Sequence, residues 1–404
     1  MLDRRTLLRA APALALPLAL PVAARAQTGG PIRIGVLTDM SSWGRDNGGP
    51  GAVYAVNAAV KEAGGMAAGR PVEVLVGDHK MLPDVGMGIA RQWFDQGVDA
   101  ITDLENSAVG LAVSALAASR DRIALISGSG SSDITNARCN NRTVAFTYDT
   151  YSIAKVTASA LARQGAKTWF FIGADYAFGK QLIADATLFI EAGGGRALGQ
   201  ALHPPGTTDY SALLLQAQNS KADVIALANT GTDCTNALKQ AQEFGITRQG
   251  QKLVTLAMFD TDVVAAGLAV AQNTLMVTSA WGNMSPEARA WTEGYFAATG
   301  LMPTMLQLGD YGVVKHYLKA VEAAGTADAG AVMAKMQALP IADIFCRRGT
   351  LRADGRVMRE MYLMRVKTPA QAKLPFDYLE LMETVAAEDA FRPVKESACP
   401  LIKA

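Results

Sequence analysis

From residue 31 onward, short apolar runs alternate with amphipathic stretches. "IRIGVLTD" (32–39) is apolar and partly β-branched, and "PGAVYAVNAAVKEAGG" (50–65) has helical spacing and a Gly-Gly stop. The pair then recurs. "VEVLVGD" (72–78) precedes a helix from Pro83 to about Gln96, "DAITDL" (99–104) precedes the helix "SAVGLAVSALAAS" (107–119), and "IALIS" (123–127) closes the set. After "CNNRTVAFTYDT" the pattern restarts. Helix 150–163, strand 168–175, helix 179–192 and "ALGQAL" lead to the helical "DYSALLLQAQNS" and strand 224–229. Helix 232–244 and strands 253–258 and 274–281 complete this second set. Residues 285–337 read as mostly helical, "REMYLMRVK" (359–367) as a late strand, and the end as a tail of little periodicity. Strands alternating with helices of this length predict βαβ units, and two such sets predict two similar α/β lobes with parallel sheets.

Composition adds scale and little chemistry. The chain has 404 residues, 50% of them hydrophobic, which suits two domains. Lys and Arg number 38 against 37 Asp and Glu, with no block of like charge, so nucleic acid is not an expected partner. The N-terminus is more specific. Arg4, Arg5 and Arg9 precede an Ala/Leu/Pro run that ends in "ARA" before Gln27. A basic start, a short apolar middle and a small-residue end predict a signal peptide over 1–26, with twin-arginine character despite Asp3, and a periplasmic mature protein. Pro12, Pro17 and Pro21 interrupt the apolar run, so it would span a bilayer poorly, and no later stretch suits spanning either.

The loops after the strands carry the candidate chemistry, because ligands of open α/β sheets collect at the carboxyl ends of strands. "ISGSGSSDIT" (126–135) suggests a phosphate cradle or a serine nucleophile. It contains no Gly-x-Ser-x-Gly, and none of His79, His203 and His316 falls in these loops. "GADYAFGKQ" (173–181) has five residues between its glycines where a P-loop has four, and Gln181 stands where Ser or Thr should be. No Cys/His metal motif occurs. Neither an enzyme nor a cofactor is therefore expected. Ser107, Ser129 and Ser131 stand at or before predicted helix starts, where N–H groups and hydroxyls receive anions; plain N-capping explains any one of them. Trp43, Tyr151, Tyr176, Phe259 and Trp281 occupy the same class of loop. Each could be core, but together they suggest an aromatic-lined cleft.

These segments, in this order, resemble the branched-chain amino acid (Leu/Ile/Val)-type substrate-binding proteins of ABC importers. "IRIGVLTDMSSWG…GGPGAVYAVNAAVKEAGG", "GDHKMLPDVGMGIARQWFDQGVDAI", "NSAVGLAVSALAASRDRIALIS", "TWFFIGADYAFGKQL" and "NALKQAQEFGI" carry the likeness across nearly the whole mature chain. The resemblance implies the type I periplasmic binding protein fold: two Rossmann-like lobes, a three-segment hinge, and closure on a ligand. The first lobe would be 31–145 with 283–340, the second 146–282 with 341–375, and 376–404 a tail returning towards the first. It implies a ligand carboxylate held by Ser107, Ser129 and Ser131, with Trp43 beside it, and a membrane permease as partner. The family's lobe-two acceptor for an ammonium group reads Phe259 here, next to Asp260, and another lobe-two aromatic position reads Thr230. An unpaired ammonium in a closed cleft is costly. The expected ligand is therefore an aromatic or aliphatic acid without α-ammonium, with Phe259 and Trp281 deciding its identity. An inward Asp260 or Asp262 would restore an amino acid, and a ligand-sensing receptor of the same fold is the alternative of another class. Export permits disulfides. Cys139, before the first crossing, and Cys399, in a tail that needs fastening, are the expected pair, with Cys234 and Cys346 free; the alternative is four reduced, buried thiols.

Overall fold

A computed structural model describes residues 29–373 and 376–402; the expected leader, 1–26, lies outside the described residues. The first unit begins with β1 (Ile32–Thr38), α1 (Gly49–Glu62), β2 (Met66–Ala67), β3 (Arg70–Asp78) and α2 (Pro83–Asp95). It continues through β4 (Ala100–Asp103), α3 (Ser107–Ser119), β5 (Ile123–Ile126) and β6 (Thr143–Ala145). The strands form one sheet in the order β2-β3-β1-β4-β5-β6, parallel except for β2. Both β4 and β5 are buried along their whole length. That explains their unbroken apolar runs, because helices cover both faces of a parallel sheet.

The second unit follows the same grammar. It contains α4 (Thr150–Arg163), β7 (Thr168–Ala174), α5 (Ala177–Ala192), β8 (Arg196–His203), α6 (Ser211–Asn219) and β9 (Val224–Ala228), then α7 (Thr232–Glu243), β10 (Lys252–Thr255), α8 (Asp260–Ala266) and α9 (Leu268–Ala271). Its strands pair in parallel in the order β10-β9-β7-β8. Local chemistry starts the helices. Asp149 caps α4 through the Ser152 N–H, and Ser152 Oγ returns a contact to the cap.

After β11 (Leu275–Thr278) the chain returns to the first unit with α10 (Pro286–Thr299), α11 (Met305–Ala324) and α12 (Ala329–Ala338), of which α10 and α11 pack on α1. The short antiparallel strands β12 (Ile341–Asp343), β13 (Cys346–Leu351) and β14 (Val357–Met358) come next. The sequence placed 341–375 in the second lobe. The structure corrects this boundary: Ile341, Phe345, Cys346, Leu351 and Val357 are buried in the first unit's core. The third crossing therefore lies near 356–360, and β15 (Met361–Val366) then pairs with β11 on the second unit. The tail contains a strand the sequence missed, β16 (Leu379–Val385), antiparallel to β15 and mostly exposed, and a last turn, α13 (Ala387–Ala390).

Two buried arginines tie the crossings together. Arg356 donates to the carbonyls of Ala145 and Tyr148, at the first crossing, and lies 4.7 Å over the Phe391 ring. Arg359 donates to Ser279 O, at the second crossing, and to Phe345 O. Cys139 and Cys399 form a disulfide, as expected, and Cys234 and Cys346 are free and buried. No described helix is long and apolar enough to cross a membrane.

Candidate functional site

The carboxyl ends of β1, β4, β5, β7 and β9 face one cleft between the two units. Asp39 organises its first loop, accepting from the N–H groups of Ser41, Ser42 and Gly44 and from Ser42 Oγ. This fixes the turn that carries Trp43. At the end of β4, Asp103 and Leu104 adopt left-handed conformations with φ of 71° and 57°. Such backbone is costly for residues other than glycine and persists where the surroundings enforce it. The strained pair delivers Glu105 to the cleft, and Asn106 then caps α3 through the N–H groups of Ala108 and Val109.

A narrow cavity lies between the units, lined by Trp43, Asn47, Met81, Glu105 and Gly128 from one side. Tyr148, Tyr176, Phe178, Thr230, Phe259 and Leu306 complete it. Its rings pack mainly edge-on: Trp43 meets Tyr176 at 5.7 Å and Tyr148 meets Phe259 at 5.9 Å. Contacts across the cleft hold the units closed. Thr261 Oγ1 donates to Asn47 Oδ1 at 2.5 Å, and Ser132 Oγ donates to Asp185 Oδ2 at 2.9 Å. Thr230 Oγ1 is buried and without a partner among the described residues.

The structure therefore brings together Trp43, Tyr176, Thr230 and Phe259 of the residues singled out in the sequence. The serines are placed differently. Ser129 Oγ donates to the carbonyls of Leu104 and Asn106, so its proton is committed to the strained turn. Ser131 precedes a 3-10 helix (Ser132–Thr135), whose Ile134 N–H its carbonyl accepts. Ser107 Oγ is buried and unpartnered, but Ser107 does not line the cavity. Tyr151 and Trp281 are corrections. Tyr151 faces the tail, where its hydroxyl donates to Glu396 and Arg392 lies over its ring at 4.2 Å. Trp281, half-buried, packs edge-on against Tyr362 at 5.1 Å, against the second unit's core. Asp260 is the first residue of α8, buried, with Oδ2 unpartnered and off the cavity wall.

Nothing in the sequence singles out Glu105, because an acid just before a helix start is common. Its setting is unusual. A Cβ built on Gly48 would lie 2.6 Å from Glu105 Oε2 and Thr38 Oγ1 and 2.9 Å from Asp103 Oδ2, so these oxygens converge under one glycine. Burial pushes the Glu105 carboxyl well above its ordinary range, and Asp103, Asp39 and Asp310 push it further. Burial also raises Asp103 to about 7, with the Asp39 charge adding to it. In the second unit, burial raises Asp260 to about 7 and Asp262 to about 8.

Known proteins agree with this architecture. A family model described as a periplasmic binding protein matches residues 31–373. A periplasmic binding protein from Burkholderia mallei is 42% identical, with 92% of this chain and 99% of that chain covered and a TM-score of 0.90. A branched-chain amino acid ABC transporter periplasmic ligand-binding protein from Burkholderia xenovorans is 39% identical, with 92% and 100% covered and a TM-score of 0.82. A solute-binding protein from R. palustris, solved with benzoate, is 17% identical at a TM-score of 0.80, over 92% and 100% of the two chains, and shares the fold. No curated protein matches the chain.

Proposed function

The chain belongs to the periplasmic binding protein family, and on that premise we propose that it captures a small carboxylate-bearing solute between its lobes and passes it to a membrane permease. Proteins of this kind serve ABC transporters, and the work is binding and closure without bond-making. One observation carries the reading: the aromatic-walled cavity at the carboxyl ends of both sheets, bridged by Trp43–Tyr176 and Thr261–Asn47. The Thr230 hydroxyl is a free donor for the carboxylate on the cavity wall, whereas Ser129 is already committed. Relatives of the same fold that hold benzoate, 4-hydroxybenzoate and 3,4-dihydroxybenzoate support a carboxylate, and the amino-acid relative supports it equally. The N-terminal leader would export the chain to the periplasm, where such a receptor works.

The test is a thermal-shift panel of organic acids and amino acids, followed by calorimetric titration of each hit. A carboxylate should raise Tm, and Trp43→Ala should remove the shift. A panel in which no carboxylate stabilises the protein would refute the reading.

A further inference from the structure

The cleft is unbalanced in charge. No Lys or Arg lines the cavity, whereas Glu105 does. Around Glu105 stand more acids. Asp103 is fully buried, with the Thr38 hydroxyl beside its carboxyl and no cation near it. Asp310 accepts from Thr102 and Ser127 through Oδ1 and leaves Oδ2 unpartnered. Across the cleft, Asp260 Oδ2 is also unpartnered. Among the described residues none of Asp39, Asp103, Glu105, Asp260, Asp262 and Asp310 forms an ion pair. A nitrogen-free carboxylate entering this space would find no cation and would hold the protons on these acids, whereas a cationic nitrogen would be offset by their ionisation.

The walls have the same electrical sense. Five aromatic rings, of Trp43, Tyr148, Tyr176, Phe178 and Phe259, surround the cavity. Ring faces are negative and attract a cation, and desolvated rings do so most strongly. The kind of cation follows from the acceptors. A primary ammonium brings three N–H donors that must all be satisfied once buried. Besides Glu105, and Thr230 Oγ1 which the carboxylate takes, two polar acceptors on the wall already accept a bond: Asn47 Oδ1 from Thr261, and Gly128 O from Tyr148. An alkylated nitrogen has few N–H groups or none, and its methyl groups pack on rings.

We propose that the solute of this chain is a betaine-type zwitterion, its alkylated ammonium seated against Glu105 and the aromatic rings and its carboxylate turned to Thr230. The inference rests on the cleft being a carboxylate-solute site, as proposed above. It reverses the sequence expectation of a ligand without a cationic nitrogen, which considered only the lobe-two position at Phe259.

Two isosteric pairs test it by calorimetric titration: glycine betaine against 3,3-dimethylbutyrate, and trigonelline against 3-methylbenzoate, with L-leucine and benzoate alongside. In at least one pair the cationic member should bind at least about tenfold tighter than its carbon analogue. Glu105→Gln should weaken that cationic ligand by about tenfold or more and leave the carbon analogue unweakened, while Tm without ligand confirms that the variant folds. Tighter binding of a nitrogen-free acid, or of L-leucine, would overturn the inference and leave the proposed function standing. If no member binds, the inference falls, and the proposed function stands or falls on its own panel of organic acids and amino acids.

Discussion

At the scale of single residues, the serines show where local signals mislead. Ser at a helix start can present its hydroxyl to an anion, and the sequence offered three such residues. The backbone decided otherwise. Because Asp103 and Leu104 are left-handed, the Leu104 carbonyl needs a buried donor, and Ser129 supplies it. Ser129→Ala should thus cost about 1–3 kcal/mol of stability, the penalty of a stranded acceptor, and change ligand affinity less than about twofold. Thr230→Val should do the reverse, lowering affinity about tenfold with Tm nearly unchanged, as for one hydrogen bond to a charged group. Denaturant melts and titrations on the two variants separate these outcomes. The buried acids make a second prediction. Asp103 and Asp260 are raised to about 7 and Asp262 to about 8, so the folded chain holds protons there that the unfolded chain releases near pH 4. Their stability contribution is complete at acid pH and is lost as pH rises through those values. His79, lowered to about 4 by burial, acts oppositely, with stability gained between pH 4 and 6.5 and flat above. From pH 6.5 to 8 the acids act without that opposition, and each group near 7 removes about 1 kcal/mol. Ligand-free Tm should fall across that window, and Asp103→Asn should flatten the slope; a Tm that rises there would contradict the assignment.

At the scale of elements, the alternation of strand and helix was readable because each strand of a covered parallel sheet is an unbroken apolar run and each covering helix an amphipathic one. What escaped had no such pattern. β16 is an edge strand with only one neighbour and a mostly exposed surface, so "LELMETV" carries no buried period. β12 to β14 are two to six residues long and take their place from contacts with the first core. The site was legible to the same degree. The loops were visible as loops, and Trp43, Thr230 and Phe259 could be placed in them. The facing direction of Tyr151 and Trp281 depended on packing with Arg392 and Tyr362, far away in sequence. The third crossing depended likewise on Arg356 and Arg359. Each arginine satisfies carbonyls that no strand or helix reaches, so Arg359→Met should leave Ser279 O and Phe345 O without that donor. A loss of about 3 kcal/mol or more is expected in urea melts, because a buried charged donor network is broken. A loss under about 1 kcal/mol would mean that the crossings hold without it.

At the scale of the whole molecule, closure is a movement of one lobe against the other, and the tail touches both. β16 extends the sheet formed by β11 and β15, and Phe391 is buried in the second core. Arg392 then lies over Tyr151 of α4, while its carbonyl accepts from Arg352 of the first-core hairpin. Beyond it, Ala398 N–H donates to Asn136 Oδ1, and Cys399 is bonded to Cys139, 260 residues away. The disulfide thus closes a loop containing the whole second lobe and all three crossings. Cross-linking so long a loop restricts the unfolded chain strongly, by roughly 5–6 kcal/mol on chain-entropy grounds. In the folded state it also limits how far the lobes can part. Reduction, or Cys399→Ser, should therefore have two effects: Tm falls by several degrees, and the ligand-free protein expands in small-angle scattering while the ligand-bound protein does not. A lower Tm with an unchanged ligand-free radius would leave the disulfide as a clamp on the unfolded chain alone. An unchanged Tm would mean that Phe391, Arg392 and Ala398 fasten the tail without the covalent link.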